Sequence, residues 1–263
     1  MNDTSLVIEN LCFIYPDKFQ ALNNINIRLD KGDSLGIVGS NGAGKSTLLL
    51  QLCGILMPSQ GSISIEGMPM TKDNLGKIRR LLGFVFQNPE NQLFTTSIYE
   101  DVAFGPKNYG LNKEEVENKT ISALKKVGIE HLKNRPPYRL SGGQQNLAAI
   151  ATAIAMEPSI LIMDEPTAAL DPKARRRLIN ILNNFEYTKI IASHDLDMIL
   201  DTCNKTIVLK EGTIVESGYT KDILLNKELM ENSNLELPLS VQNVDNLNRL
   251  KIERNKELIK WQY

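Results

Sequence analysis

The run Gly39-Ser40-Asn41-Gly42-Ala43-Gly44-Lys45-Ser46-Thr47 constrains this chain more than any other stretch. It follows the apolar segment Ser34-Leu35-Gly36-Ile37-Val38 and precedes Leu48-Leu49-Leu50-Gln51-Leu52-Cys53, so it reads as a loop between a strand and a helix. Glycines at 39, 42 and 44 let the backbone curl until successive N–H groups point at phosphate oxygens, aided by the positive end of the following helix. Lys45 is expected to reach the β and γ phosphates and Ser46 to place its hydroxyl on Mg²⁺. Thr47 is a second phosphate donor.

A second constellation lies far along the chain. Asp164-Glu165 follow Ile160-Leu161-Ile162-Met163, which puts two carboxylates at the carboxyl end of a buried strand, where ligands of open α/β sheets bind. Asp164 is expected to hold Mg²⁺ through its water shell, and Glu165 to orient or deprotonate an attacking water. In Leu140-Ser141-Gly142-Gly143-Gln144, Ser141 caps the helix starting near Gln145. The two glycines also let a phosphate approach that helix end, and the two roles are compatible.

Thirty basic residues nearly cancel thirty-one acidic ones, so neither a nucleic-acid surface nor a polybasic membrane anchor is expected. Cys12, Cys53 and Cys203 stand far apart without metal-ligand spacing and read as buried apolar side chains in a reducing cytosol. The start of the chain has no charged-then-apolar signal layout. The longest apolar candidate for a membrane span, Leu147 to Met156, is too short, so another chain is expected to do any spanning.

Leu6-Val7-Ile8 and Leu11 to Tyr15 form a first strand region, and Ile25, Ile27 and Leu29 alternate as a strand with one buried face. Ser62 to Gly67 reads as a short strand and turn, and Leu82 to Phe86 as a buried strand leading into Gln87-Asn88-Pro89. From Asn91 to about Ile154 the pattern is helical, with Val116, Ile121, Leu124 and Val127 at helical spacing. Strands resume at Ile160–Met163, Ile190–Ala192 and Thr206–Leu209, separated by helices that include Lys173 to Asn183. That alternation predicts a mostly parallel sheet covered by helices, with a polar helical extension after Gly218.

The loop at 39–47, Leu-Ser-Gly-Gly-Gln at 140–144 and Asp164-Glu165 together resemble the nucleotide-binding domain of ATP-binding cassette (ABC) transporters, over nearly the whole chain. The resemblance implies an α/β fold: a P-loop NTPase (RecA-like) core with a mostly parallel sheet, an antiparallel β subdomain and an inserted α-helical subdomain. It divides the chain into a nucleotide-binding core at 1–90 and 155–218, a helical subdomain at 91–154 and a C-terminal extension at 219–263. It implies ATP and Mg²⁺ as ligands. Tyr15 matches the aromatic that stacks on adenine, or is a core or edge aromatic. Gln87 matches the glutamine linking the ATP and metal site to the helical subdomain, or is an ordinary loop residue. Asp171 matches the aspartate of the Ala-Leu-Asp loop. His194 matches the switch histidine at the γ-phosphate, or is a satisfied core histidine. Lys45, Gln87, Glu165 and His194 are the implied catalytic set, with Ser46, Gln87 and Asp164 at the metal. Ser141, Gly142, Gly143 and Gln144 would bind the nucleotide of a second copy.

Gln87 to Phe94 and Tyr99 to Pro106 are similar to the ATPase subunits of energy-coupling-factor importers, the group that includes cobalt and nickel uptake systems, and Met230 to Pro238 is similar to their C-terminal segment. This implies an ATPase on the cytoplasmic face of the cell membrane, peripheral, in a head-to-tail dimer with an identical or homologous subunit. Integral membrane and substrate-binding subunits would be its partners, and cobalt, nickel or a vitamin the cargo. Two other classes stay open: a soluble ABC ATPase not tied to transport, and a regulatory half of a heterodimer. The chain departs from the family where Gln145-Asn146-Leu147 replace the usual basic residues.

Overall fold

The computed structural model describes residues 4–168 and 170–242. β1 (Thr4–Ile14) and β2 (Gln20–Asp30) pair antiparallel and are followed by β3 (Ser34–Val38) and α1 (Lys45–Leu52). Next come β4 (Gln60–Ile65), β5 (Met68–Pro69), α2 (Leu75–Leu81) and β6 (Leu82–Val85). The helices α3 (Ile98–Asn108), α4 (Lys113–Lys126) and α5 (Gly142–Ile154) fill the segment read as helical. The chain returns through β7 (Ile160–Asp164), α6 (Pro172–Asn183), β8 (Thr188–Ala192), α7 (Leu196–Thr202) and β9 (Lys205–Lys210). β10 (Thr213–Tyr219), α8 (Thr220–Leu224) and α9 (Lys227–Asn232) follow. The extension expected beyond Gln242 lies outside the described residues.

Two sheets result. A four-stranded antiparallel sheet runs β2-β1-β4-β5, and a six-stranded sheet runs β10-β9-β3-β8-β7-β6. In the latter β9, β3, β8, β7 and β6 are parallel and β10 is an antiparallel edge. Successive strand residues face opposite sides, so β7 sends Ile160 and Ile162 into one core and Leu161 and Met163 into the other. The first core lies between the two sheets and holds Leu48 and Leu49 of α1. The second lies under α3 to α9, where Leu124, Ile150, Leu178, Ile199 and Leu224 pack together. The helical segment therefore shares a core with the sheet.

Three features differ from the sequence reading. The two segments of the first strand region are one strand with a bulge, where Asn10 takes φ 48° and the register shifts between Ile8 and Leu11. β10 is a strand through Tyr219, past the end expected for the core. Cys53 and Cys203 are buried, and burial pushes both thiols up to about 12, but Cys12 is only half-buried. It lies on the opposite face of β1 from Leu11 and Phe13, where its sulfur accepts the Asn24 N–H at 3.3 Å.

β6 and α5 approach closely at Gly83, where an added Cβ would meet the Ala153 carbonyl oxygen at 2.6 Å and Pro158 Cγ at 2.9 Å. Gly83→Ala is expected to lower stability by about 1–3 kcal/mol through overpacking, read as a fall in the urea midpoint at unchanged slope.

Candidate functional site

β3 is buried along its whole length, so the chain can expose polar backbone only where the strand ends. Gly39 stands at that end, against β9: a Cβ there would sit 2.3 Å from the Leu209 carbonyl oxygen. Gly44, at φ 106°, closes the loop against β2, with its absent Cβ 2.8 Å from the Ala21 oxygen. Between them the backbone folds over Lys45, whose ammonium donates to the carbonyls of Gly39 at 2.8 Å and Ser40 at 3.2 Å. α1 begins at Gly44 with no side-chain cap and no acidic residue in its first turn. By contrast α3, α4, α5 and α6 are capped by Ser97, Asn112, Ser141 and Asp171. The first-turn N–H groups of α1 therefore suit an anion.

A cleft of about 500 Å³ opens over this loop, lined by Asn41 to Thr47 and by Gln87, Asp164, Glu165 and His194. Asp164 ends β7, and burial raises its carboxyl above the ordinary value, against the opposing pull of Ser46, Lys45 and His194. Burial likewise lowers the Lys45 ammonium, against the nearby Glu165 and Asp164 charges. Each charge thus lacks solvation that a bound ion could replace. The Asp164 carboxylate, the Ser46 hydroxyl and the Gln87 amide are oxygen donors that fit a magnesium ion taking its remaining ligands from phosphate and water.

Glu165 has the left-handed backbone at φ 48° and donates its N–H to the Ala192 carbonyl at 2.8 Å. Its Oε2 accepts the Ser193 hydroxyl at 3.1 Å and the His194 N–H at 3.0 Å. Its Oε1 is buried without a hydrogen bond among the described residues, 3.3 Å from His194 Nε2. Lys45 stands on the other side of that imidazole. Its ammonium, on Gly39 and Ser40, also lies 3.2 Å from His194 Nε2, so that nitrogen sits between Lys45 and Oε1.

The other expected residues lie elsewhere. Tyr15 is outside the cleft lining, with its hydroxyl 3.1 Å from Thr47 Oγ1 and its ring edge-on to Phe13, whereas exposed Phe19 lines the mouth. An aromatic just after the Tyr15-Pro16-Asp17 turn was the signal for Phe19. Ser141 and Gln144 form a capping box on α5, outside the cleft. Gly143 lets α5 approach α6, since its Cβ would meet Ala174 Cβ at 2.9 Å. The Asp171 carboxylate caps α6, accepting the Lys173 and Ala174 N–H groups at 2.9 Å. In place of basic residues, Asn146 donates to the Pro166 carbonyl at 2.8 Å and Leu147 is buried in the core. Ser193, fully buried beside Glu165, was not anticipated.

The sequence family described as ABC transporter matches residues 22–168. A putative ABC transporter ATP-binding protein of Geobacter sulfurreducens is 50% identical over 235 residues, which are 89% of this chain and 94% of that protein. The energy-coupling factor transporter ATP-binding protein EcfA of Methanocaldococcus jannaschii is 42% identical over 92% of this chain and 88% of its own. Among solved structures, cbiO1 of Clostridium perfringens, part of the ABC transporter complex cbiONQ, superposes with a TM-score of 0.81 at 40% identity, covering 93% of this chain and all of that one. A phosphate loop, an acidic strand end and a histidine converging on one cleft, together with these likenesses, lead to one conclusion: the chain belongs to the ABC transporter family, as an ATPase.

Proposed function

We propose that this chain is the energy-coupling subunit of an energy-coupling-factor importer for cobalt or nickel ions or a vitamin. It acts at the cytoplasmic face of the cell membrane and hydrolyses ATP in a head-to-tail dimer with an identical or homologous subunit. The observation that carries the catalytic part is the Glu165 carboxylate, with one oxygen saturated and the other buried and, among the described residues, free of hydrogen bonds beside His194 and Lys45. The likeness to EcfA and cbiO1 supports the importer part.

In this reading Asn41 to Thr47 hold the phosphates, with Lys45 turning from the Gly39 and Ser40 carbonyls to the β and γ phosphates. Ser46, Asp164 and Gln87 hold magnesium, which supplies positive charge against the phosphates during transfer. Glu165 Oε1 takes a proton from the attacking water, and His194 Nε2 orients that water or the γ-phosphate. Tyr15 and Phe19 offer aromatic surface to the base. Ser141 to Gln144, outside this cleft, would serve the nucleotide of the second subunit, with the Asp171 loop near that interface. Residues 1–90 and 155–218 act as the nucleotide-binding core, 91–154 as the helical subdomain and 219–263 as an extension.

A surface for the membrane subunit lies on the helical segment. Phe94 and Phe104 stack edge to face at 5.0 Å while 66% and 46% exposed, and Tyr138 beside them is 77% exposed. Buried Asp101, on the same helix as Phe104, holds the loop of Phe94, accepting the Phe94 and Thr95 N–H groups at 3.0 Å. Gln92, adjacent to this patch, accepts the Phe86 N–H at 3.2 Å and donates to the Ala149 carbonyl at 2.8 Å. A push on the patch thus reaches both the strand end before Gln87 and the helix that starts at Gly142.

Glu165→Gln is expected to lower turnover by about 10²–10⁴-fold with ATP binding intact, the range for a lost general base. The test is the specific ATPase rate with Mg²⁺ across protein concentration. A rate rising with concentration and lost in the variant supports the dimeric ATPase; unchanged turnover removes Glu165 from that role. Lys45→Ala is expected to weaken nucleotide binding, and equal affinity in a fluorescent-nucleotide titration would count against the loop assignment. The double variant Phe94→Ala, Phe104→Ala is expected to lose co-purification with membrane proteins. Co-purification of the unaltered chain with ribosomes instead would reject the transport reading.

A further inference from the structure

Glu165 is aimed by a side chain to which none of the expected roles refers. Ser193 is fully buried at the end of β8, and its hydroxyl oxygen accepts the Asp195 N–H at 3.0 Å. A hydroxyl has one proton, and with Asp195 on the acceptor side that proton is directed to Glu165 Oε2 at 3.1 Å. The His194 N–H reaches the same oxygen at 3.0 Å. Both donors fall on Oε2, so the carboxylate cannot turn without breaking two hydrogen bonds, and Oε1 stays toward the cleft.

The support extends one layer further. Asp195 is gripped by a two-point ion pair with Arg175 of α6, whose Nη2 lies 2.6 Å from Oδ1, and the same Oδ1 caps α7 through the Met198 N–H at 2.9 Å. The loop that presents Ser193 is therefore anchored to the helix capped by Asp171.

We propose that Ser193 is a positioning residue for ATP hydrolysis, holding the Glu165 carboxylate with Oε1 directed at the attacking water. The proposal rests on the reading of Glu165 as the base. Ser193 touches no reacting atom; it acts through Glu165 alone.

A double-mutant cycle on the full-length chain, purified with any membrane subunits that accompany it, tests this in single-turnover hydrolysis of ATP with Mg²⁺. Ser193→Ala is expected to lower kcat about 10- to 100-fold, the loss that follows from removing a hydrogen bond to a charged group, with the KM for ATP unchanged. Ser193→Thr, which keeps the hydroxyl, is expected to restore most of the rate. In a Glu165→Gln background Ser193→Ala is expected to cost less than about twofold, because residues acting as one unit are not additive. An equal loss in both backgrounds, or a loss that Ser193→Thr does not rescue, overturns the proposal. Turnover lost in Glu165→Gln but kept in Ser193→Ala overturns the role of Ser193 alone. Turnover kept in Glu165→Gln overturns the reading of Glu165 and the role of Ser193 with it.

Discussion

Burial of the central sheet on both faces governs where chemistry can occur in this molecule. β3 and β8 are buried at every position, and β7 is buried until Asp164. A parallel sheet sandwiched in this way takes few polar side chains along its strands, and the buried ones, Ser34, Thr188, Lys189 and Thr206, sit at the amino ends. The polar groups of the cleft appear where the strands stop, and parallel strands stop on the same edge. Gly39-Ser40 after β3, Asp164-Glu165 at the end of β7 and Ser193-His194 after β8 are brought together for that reason. The convergence is a property of topology, set by strand order before any one of these residues is considered.

The charges collected at that edge are poorly compensated. Lys45 faces Asp164 and Glu165, and burial works against ionisation of both Lys45 and Asp164. Burial disfavours both charges, so each suits a ligand of opposite charge. Polyphosphate and a divalent cation bring opposite charges to those groups. On the proposed reading, a metal-bound phosphate chain would supply both. The left-handed backbone at Glu165 is strained, and its hydrogen bond to Ala192 sustains it.

Most of the sheet was legible because buried strands announce themselves as continuous apolar runs, as Ile160 to Met163 does. The phosphate loop was legible because its glycines and lysine occur at fixed spacing between a strand and a helix. β10 was not, since Thr213–Tyr219 is an exposed edge strand with no apolar alternation to betray it. Cys12 looked like a core residue by type, and only its place between inward-facing Leu11 and Phe13 turns it outward. Ser193 is invisible to sequence reasoning for a deeper reason. A serine beside a histidine carries meaning only once the neighbouring strand has placed Glu165 within hydrogen-bond reach.

The same physics separates the two helix starts that carry glycines. α1 starts without a cap beneath the cleft, so its free N–H groups can receive phosphate from the same chain. α5 starts with a closed capping box, in which Ser141 and Gln144 satisfy each other's backbone, yet neither bond uses the N–H of Gly142 or Gly143. Those two groups stand at an exposed helix end outside the cleft. A helix end whose N–H groups are left out of its own capping box suits an anion. In the proposed head-to-tail dimer two copies would satisfy both ends at once, with the nucleotide between the loop of one and the helix end of the other. On that proposal, loss of the γ-phosphate would remove the bridge, so the dimer's stability would follow the state of the nucleotide.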